Sequence, residues 1–122
     1  MTESKHILIV ENDDSICELL GLALEECGYG VSLARSSDEA RVFLRSRTVD
    51  LLVADVLMPG ESGLKLAEHA KRLGVPALLM SGELVTQEAL KDNRAFMRKP
   101  FRLRELTDYI LRILQNPDGP LP

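Results

Sequence analysis

Five short apolar runs alternating with amphipathic helical segments predict a doubly wound α/β domain built on a parallel sheet. Three observations carry that expectation. The run Leu51-Leu52-Val53-Ala54 is so uniformly apolar that both faces of the strand must be covered, as in parallel sheets flanked by helices. Ile7-Leu8-Ile9-Val10 and Ala77-Leu78-Leu79-Met80 have the same character. Between the runs, apolar residues recur every three or four positions, the period of a helix with one buried face.

Ile7 to Val10 forms the first strand. Ile16, Leu19, Leu20, Ala23, Leu24 and Cys27 then mark a helix that Gly28 and Gly30 terminate. The acids before it suit a helix N-terminus, with Asp14 or Ser15 as the cap. Val31 to Ala34 is the second strand, and Ser36 or Ser37 caps a second helix with Ala40, Phe43 and Leu44 facing inward. The third strand runs into Asp55. Gly60 and Gly63 mark a loop before a third helix whose Leu64, Leu66, Ala67, Ala70 and Leu73 point to the core. Gly74 and Pro76 close it. The fourth strand, Ala77 to Met80, ends in Ser81-Gly82, and a short fourth helix is expected around Thr86 to Lys91. Ala95 to Arg98 is the fifth strand. Leu103, Leu106, Ile110, Ile113 and Leu114 repeat at helical spacing in the last helix. The breaker-rich tail from Asn116 to Pro122 is expected to be disordered, leaving a core of about 6–115.

The chain of 122 residues, 45% hydrophobic and 28% charged, is the size of one domain. A formal net charge of −4 with dispersed basic residues argues against direct nucleic-acid binding. No run reaches membrane-spanning length and the first six residues lack a signal peptide's apolar segment, so the cytoplasm is the expected compartment. Cys17 and Cys27 show no metal-binding spacing and are read as small buried hydrophobes on the first helix.

The strand ends carry the chemistry. Ligands of parallel sheets bind outside the carboxyl ends of the strands, where Glu11-Asn12-Asp13-Asp14, Asp55, Ser81-Gly82 and Lys99-Pro100 all fall. Each alone has a plain explanation: a helix N-terminus, an acid capping a turn before Pro59, a turn serine and a solvated lysine. Together they supply what a carboxylate needs to accept a phosphoryl group. Its negative charge and that of the incoming group must be offset by a divalent cation and a fixed ammonium. Glu11, Asp55 and a backbone carbonyl near Leu57 suit Mg²⁺, with water completing the octahedron. Lys99 would reach a phosphoryl oxygen, Ser81 would donate a hydroxyl, and Gly82 would permit close backbone approach.

With these motifs in view, the chain resembles the receiver domain of bacterial two-component response regulators from about His6 to Leu114. Ile7-Leu8-Ile9-Val10-Glu11-Asn12, Ala54-Asp55-Val56-Leu57-Met58-Pro59-Gly60-Glu61-Ser62-Gly63, Met80-Ser81-Gly82 and Lys99-Pro100-Phe101 carry the resemblance. It implies a flavodoxin-like sheet of order 2-1-3-4-5 with five helices. It also implies Mg²⁺-dependent phosphoryl transfer to Asp55 from a sensor histidine kinase or histidine phosphotransfer protein. By the same resemblance Ser81 and Phe96 form a switch, and the face of the fourth helix, fifth strand and last helix binds a downstream protein. A permanently buried core aromatic remains the other reading of Phe96.

The chain departs from the family in three ways. Asn12 stands where a second metal-ligating acid is usual, although a register using Asp13 or Asp14 is the alternative. Only residues 82–98 separate Ser81 from Lys99, so the fourth helix is expected to be short or remodelled. No output domain follows Leu114, which fits a stand-alone regulator or a receiver cut from a longer protein such as a hybrid kinase. Leu57 and Glu83, each two residues beyond a site residue, are placed to tune the lifetime of the phosphorylated state. A phosphorylation-independent interaction module is the alternative function, favoured by Asn12 and the short 82–98 segment. An aspartyl-nucleophile phosphatase would want an acid where Leu57 stands, so the chain is not read as an enzyme.

Overall fold

A computed structural model of the chain describes residues 4–82 and 95–116. In order, its elements are β1 (His6–Val10), α1 (Asp14–Glu26), β2 (Gly30–Ala34), α2 (Ser37–Ser46), β3 (Leu51–Asp55), α3 (Gly63–Arg72), β4 (Ala77–Ser81), β5 (Ala95–Arg98) and α4 (Leu103–Gln115). All strand pairings are parallel and the sheet order is β2-β1-β3-β4-β5. This is the flavodoxin-like doubly wound architecture expected from the sequence. The fourth helix expected near residues 86–91 lies outside the described residues, as do Glu83 and residues 117–122, so the helices here number four among those described.

The alternation of strand side chains divides the core into two. Ile7, Ile9, Leu51, Val53, Leu78 and Met80 meet Cys17, Leu20 and Leu24 of α1 and Leu106, Ile110 and Ile113 of α4. On the opposite face Leu8, Val10, Leu52, Ala54 and Leu79 meet Ala40 and Leu44 of α2 and Leu66, Ala67 and Ala70 of α3. The central strands are sealed on both sides, and each fully buried Leu or Ile contributes roughly 1.5–3 kcal/mol.

The caps explain where the helices begin. Asp13, rather than Asp14 or Ser15, caps α1, accepting from the Ile16 amide at 3.1 Å. Helix formation therefore starts one residue earlier than the apolar stripe indicates. Ser36 caps α2 and Ser62 caps α3, through the Glu39 and Lys65 amides. Several residues on the helical stripes expected to be buried are exposed, Leu19 of α1 at 52% among them. Cys27 is the C-cap of α1, where Gly28 at φ +95° turns the chain away. Leu73, 51% exposed, is likewise the C-cap of α3, beyond the last residue whose direction the helical period governs. Leu103, in the first turn of α4, is 36% exposed. Cys17 is completely buried, and both cysteines are free. Among the described residues no helix is long and apolar enough to cross a membrane.

Candidate functional site

The order β2-β1-β3-β4-β5 makes β1 and β3 neighbours where the winding of the sheet reverses. Val10 pairs with Ala54, so the residues that follow, Glu11 and Asp55, emerge side by side. Lys99 follows β5 and is tied to the end of β4 by its amide, which donates to the Ser81 carbonyl at 2.9 Å. Strands from three parts of the sequence thus deliver two carboxylates and an ammonium to one edge of the sheet.

The contacts there are direct. Lys99 Nζ donates to Asp55 Oδ2 at 2.6 Å and to Glu11 Oε1 at 3.1 Å. The other Asp55 oxygen, Oδ1, accepts from the Leu57 amide at 2.9 Å. Two of the three ammonium hydrogens are thereby used among the described residues. Glu11 is 3% exposed. Burial, and after it the Asp55 carboxylate, push the Glu11 carboxyl above its ordinary range against the opposing pull of Lys99. Burial acts to lower the Lys99 ammonium, but its hydrogen bonds to Asp55 and Glu11 outweigh it and hold the ammonium above the usual lysine value. With both acids ionised, two negative charges face one positive charge, leaving the cluster one charge short of neutrality.

Where that missing charge belongs is indicated by Glu11 Oε2, which is buried and has no hydrogen-bond partner among the described residues. A buried carboxylate oxygen without a partner is costly, and a cation is the natural remedy. No cluster of three or more acidic, His or Cys side chains converges among the described residues. The donors expected from the sequence, two carboxylates plus neutral oxygens of Asn12 and the Leu57 backbone, are of the kind that would suit a hard cation keeping several of its waters, as Mg²⁺ does.

Asn12 is exposed and follows Glu11 directly, while the alternative Asp13 is committed to capping α1. That removes one of the two residues of the alternative register; Asp14 is engaged with the Arg35 guanidinium. Asn12→Asp, which adds a charge without changing size, is expected to tighten Mg²⁺ binding about tenfold and to enlarge the Mg²⁺-induced rise in Tm. Melting curves with and without Mg²⁺ check this, and equal shifts in the two proteins would remove Asn12 from the ligand set.

Ser81 is buried at the end of β4, one residue beyond the Met80 that pairs with Asp55. Phe96 is half-buried on the α2/α3 side of the sheet. Its partner in the β4–β5 register is Leu79, and Ser81 pairs with Arg98. Ser81 and Phe96 therefore occupy the same face of the sheet, two positions apart along the strands. Among the described residues, a Cβ placed on Gly82 would meet Lys99 Cβ at 4.0 Å, an ordinary contact.

Gly63 was not singled out by the sequence beyond its loop character. A Cβ at this position would lie 2.1 Å from the Asp55 carbonyl oxygen and 3.0 Å from Val56 Cα. The start of α3 is packed directly against the backbone at the end of β3, and the Gly63 amide donates to the Val56 carbonyl at 2.9 Å. No local pattern signals such an approach, because it joins residues eight positions apart through a loop.

Residues 7–111 match the response regulator receiver domain. The chain belongs to that family. This receiver domain is 35% identical over 116 residues to Protein PetR of Rhodobacter capsulatus, covering 91% of this chain and 49% of PetR. It is 30% identical over 125 residues to the phosphate regulon transcriptional regulatory protein PhoB of Pseudomonas aeruginosa, covering 92% of this chain and 52% of PhoB. The receiver domain thus spans about half the length of these curated relatives. Among solved structures, a CheY-like receiver domain protein from Methanospirillum hungatei superimposes with a TM-score of 0.86 at 28% identity, covering 96% of this chain and all of that one. The receiver domain of the hybrid histidine kinase CckA gives 0.77 at 31% identity, covering 90% and 99%.

Proposed function

We propose that this receiver domain is a phosphorylation-dependent signalling switch that accepts a phosphoryl group on Asp55 from a sensor histidine kinase or histidine phosphotransfer protein. The observation that supports it best is the Lys99 ammonium bridging Asp55 Oδ2 and Glu11 Oε1. An acceptor carboxylate, a second acid and a fixed cation at adjoining strand ends are what phosphoryl transfer between anions requires.

In this reading a carboxylate oxygen of Asp55 attacks phosphorus as the phosphorus–nitrogen bond to the donor imidazole breaks. The electron pair leaves on that nitrogen. The Leu57 amide holds Asp55 Oδ1 and fixes the carboxylate plane, so little reorientation is needed. Lys99 offers its third N–H to a phosphoryl oxygen, and Ser81 donates its hydroxyl to another. Glu11, Asn12, Asp55 and the Leu57 carbonyl would hold Mg²⁺, which when bound would supply positive charge to offset that of the transferring group. The phosphorylated aspartate adds roughly −1.5 to −2 charge. Ser81 moves toward it, and Phe96, on the same sheet face, turns into the space Ser81 vacates. The surface that changes is that of β5 and α4, presented to a downstream protein in the cytoplasm rather than to nucleic acid.

The test is labelling by acetyl phosphate or phosphoramidate with and without Mg²⁺. One acid-labile, hydroxylamine-sensitive phosphoryl group per chain is expected, and only with the metal. A second reading, a phosphorylation-independent interaction module, is favoured by the neutral Asn12; absence of any label with intact Mg²⁺ supply would support it.

Leu57 bears on the lifetime of that label. Its side chain is 58% exposed and cannot hydrogen-bond water, so it shields the phosphoryl group without serving the core. Leu57→Asn is expected to shorten the lifetime several-fold by orienting a water in line with phosphorus. An unchanged decay rate after removal of the phosphodonor would show that access is controlled elsewhere.

A further inference from the structure

The loop from Val56 to Ser62 carries the Leu57 amide that holds Asp55, and in the proposed function the Leu57 carbonyl that meets Mg²⁺. It is tied down from outside by α2. Ser37, 2% exposed, donates its hydroxyl to the Glu61 carbonyl at 2.8 Å. One turn along α2, Arg41 Nη2 donates to both carboxylate oxygens of Glu61, at 2.7 and 2.9 Å. The same residue is thus gripped at its backbone and at its side chain by two residues of one helix. At the other end the Gly63 amide closes the loop onto Val56.

We propose that Ser37 and Arg41 are positioning residues that latch the acceptor loop through Glu61, so that Leu57 is presented in one geometry to Asp55 and to the metal. This inference rests on the proposed metal-assisted phosphorylation of Asp55. An ion pair as open as Arg41 and Glu61, whose side chains are 31% and 26% exposed, contributes little to folding. Its bidentate geometry nevertheless fixes where Glu61 sits. A loop of seven residues fastened at both ends has few ways to misplace its second residue, and unfastening one end restores that freedom. Outer contacts of this kind orient the groups that touch a metal, and their loss characteristically lowers affinity rather than stability.

The experiment measures Mg²⁺ affinity by calorimetric titration of the unphosphorylated protein, alongside hydrogen exchange at the Leu57 amide in the absence of metal. Arg41→Ala is expected to weaken Mg²⁺ binding about tenfold and speed Leu57 exchange, with Tm in metal-free buffer nearly unchanged. Ser37→Ala should do the same, with some loss of Tm because the Glu61 carbonyl loses the donor supplied by a buried residue. The double replacement Arg41→Glu with Glu61→Arg, which restores the pair with reversed polarity, should recover most of the affinity. If the parent binds Mg²⁺ and Arg41→Ala binds it equally well with unaltered Leu57 exchange, the latch is overturned while the phosphorylation reading stands. If the double replacement is no better than Arg41→Ala alone, the pairing of the two side chains is not what holds the loop, and the latch is again overturned. A parent that binds no Mg²⁺ overturns the phosphorylation reading itself.

Discussion

Asp55→Asn is expected to abolish phosphoryl labelling while leaving the fold intact. The amide has the shape of the carboxylate, and its oxygen can keep the Leu57 amide as donor. What it loses is the nucleophilic charge, and its NH₂ group turns toward Lys99, which can only donate. The lost bond to Lys99 destabilises, whereas removal of the like charge beside buried Glu11 stabilises, so the net change in folding free energy should stay within about 2 kcal/mol. Removing Asp55 also removes one of the causes that raise the Glu11 carboxyl, which should then titrate lower than in the parent. Labelling with radioactive phosphodonor, followed by hydroxylamine release, checks the outcome. A mutant that still takes up one phosphoryl group at the parental rate would exclude Asp55 as the acceptor.

Gly63→Ala is expected to be the most damaging single methyl that can be added near the site. The new carbon would fall 2.1 Å from a backbone oxygen, which cannot swing aside as a side-chain tip could. Either α3 moves away from β3 or the Asp55–Val56 backbone shifts, at a cost of about 3 kcal/mol. In a domain of this size that corresponds to a fall in Tm on the order of 10 °C. Because Asp55 and Leu57 flank the obstructed backbone, labelling should fall as well, even at temperatures where the mutant is folded. Ser62→Ala is the comparison. It removes only the α3 cap, worth about 1 kcal/mol, and should leave labelling close to the parent's. Equal Tm values for Gly63→Ala and the parent would mean that the contact between α3 and β3 relaxes without cost.

Much of this was legible before any coordinate. All five strands are legible within one residue of their ends, the central ones because a strand sealed on both faces leaves little room for a polar residue, whereas the edge strands β2 and β5 carry Ser32 and Arg98. Asp55, Glu11 and Lys99 were legible for the complementary reason. Each stands at or directly after the end of a strand, and the parallel alternation of strands and helices sends all such ends to the same side. Positions governed by the last turn of a helix were not. Cys27 and Leu73 continue the apolar period on paper, yet both are C-caps where the chain has left the helical path.

The sequence alone therefore determined the class of fold, the strands and the edge of the sheet where the chemistry-bearing residues gather, since these follow from local periodicity and chain direction. Only the tertiary structure decided that Lys99 bridges both carboxylates, that Glu11 Oε2 is left without a hydrogen-bond partner among the described residues, that Asp13 is spent as a cap, that Gly63 admits no side chain and that α2 grips Glu61. Most of these are relations between residues far apart in sequence, or matters of a single ångström in how a turn closes. Periodicity carries no information about either, because it describes which way a side chain points and not what it meets.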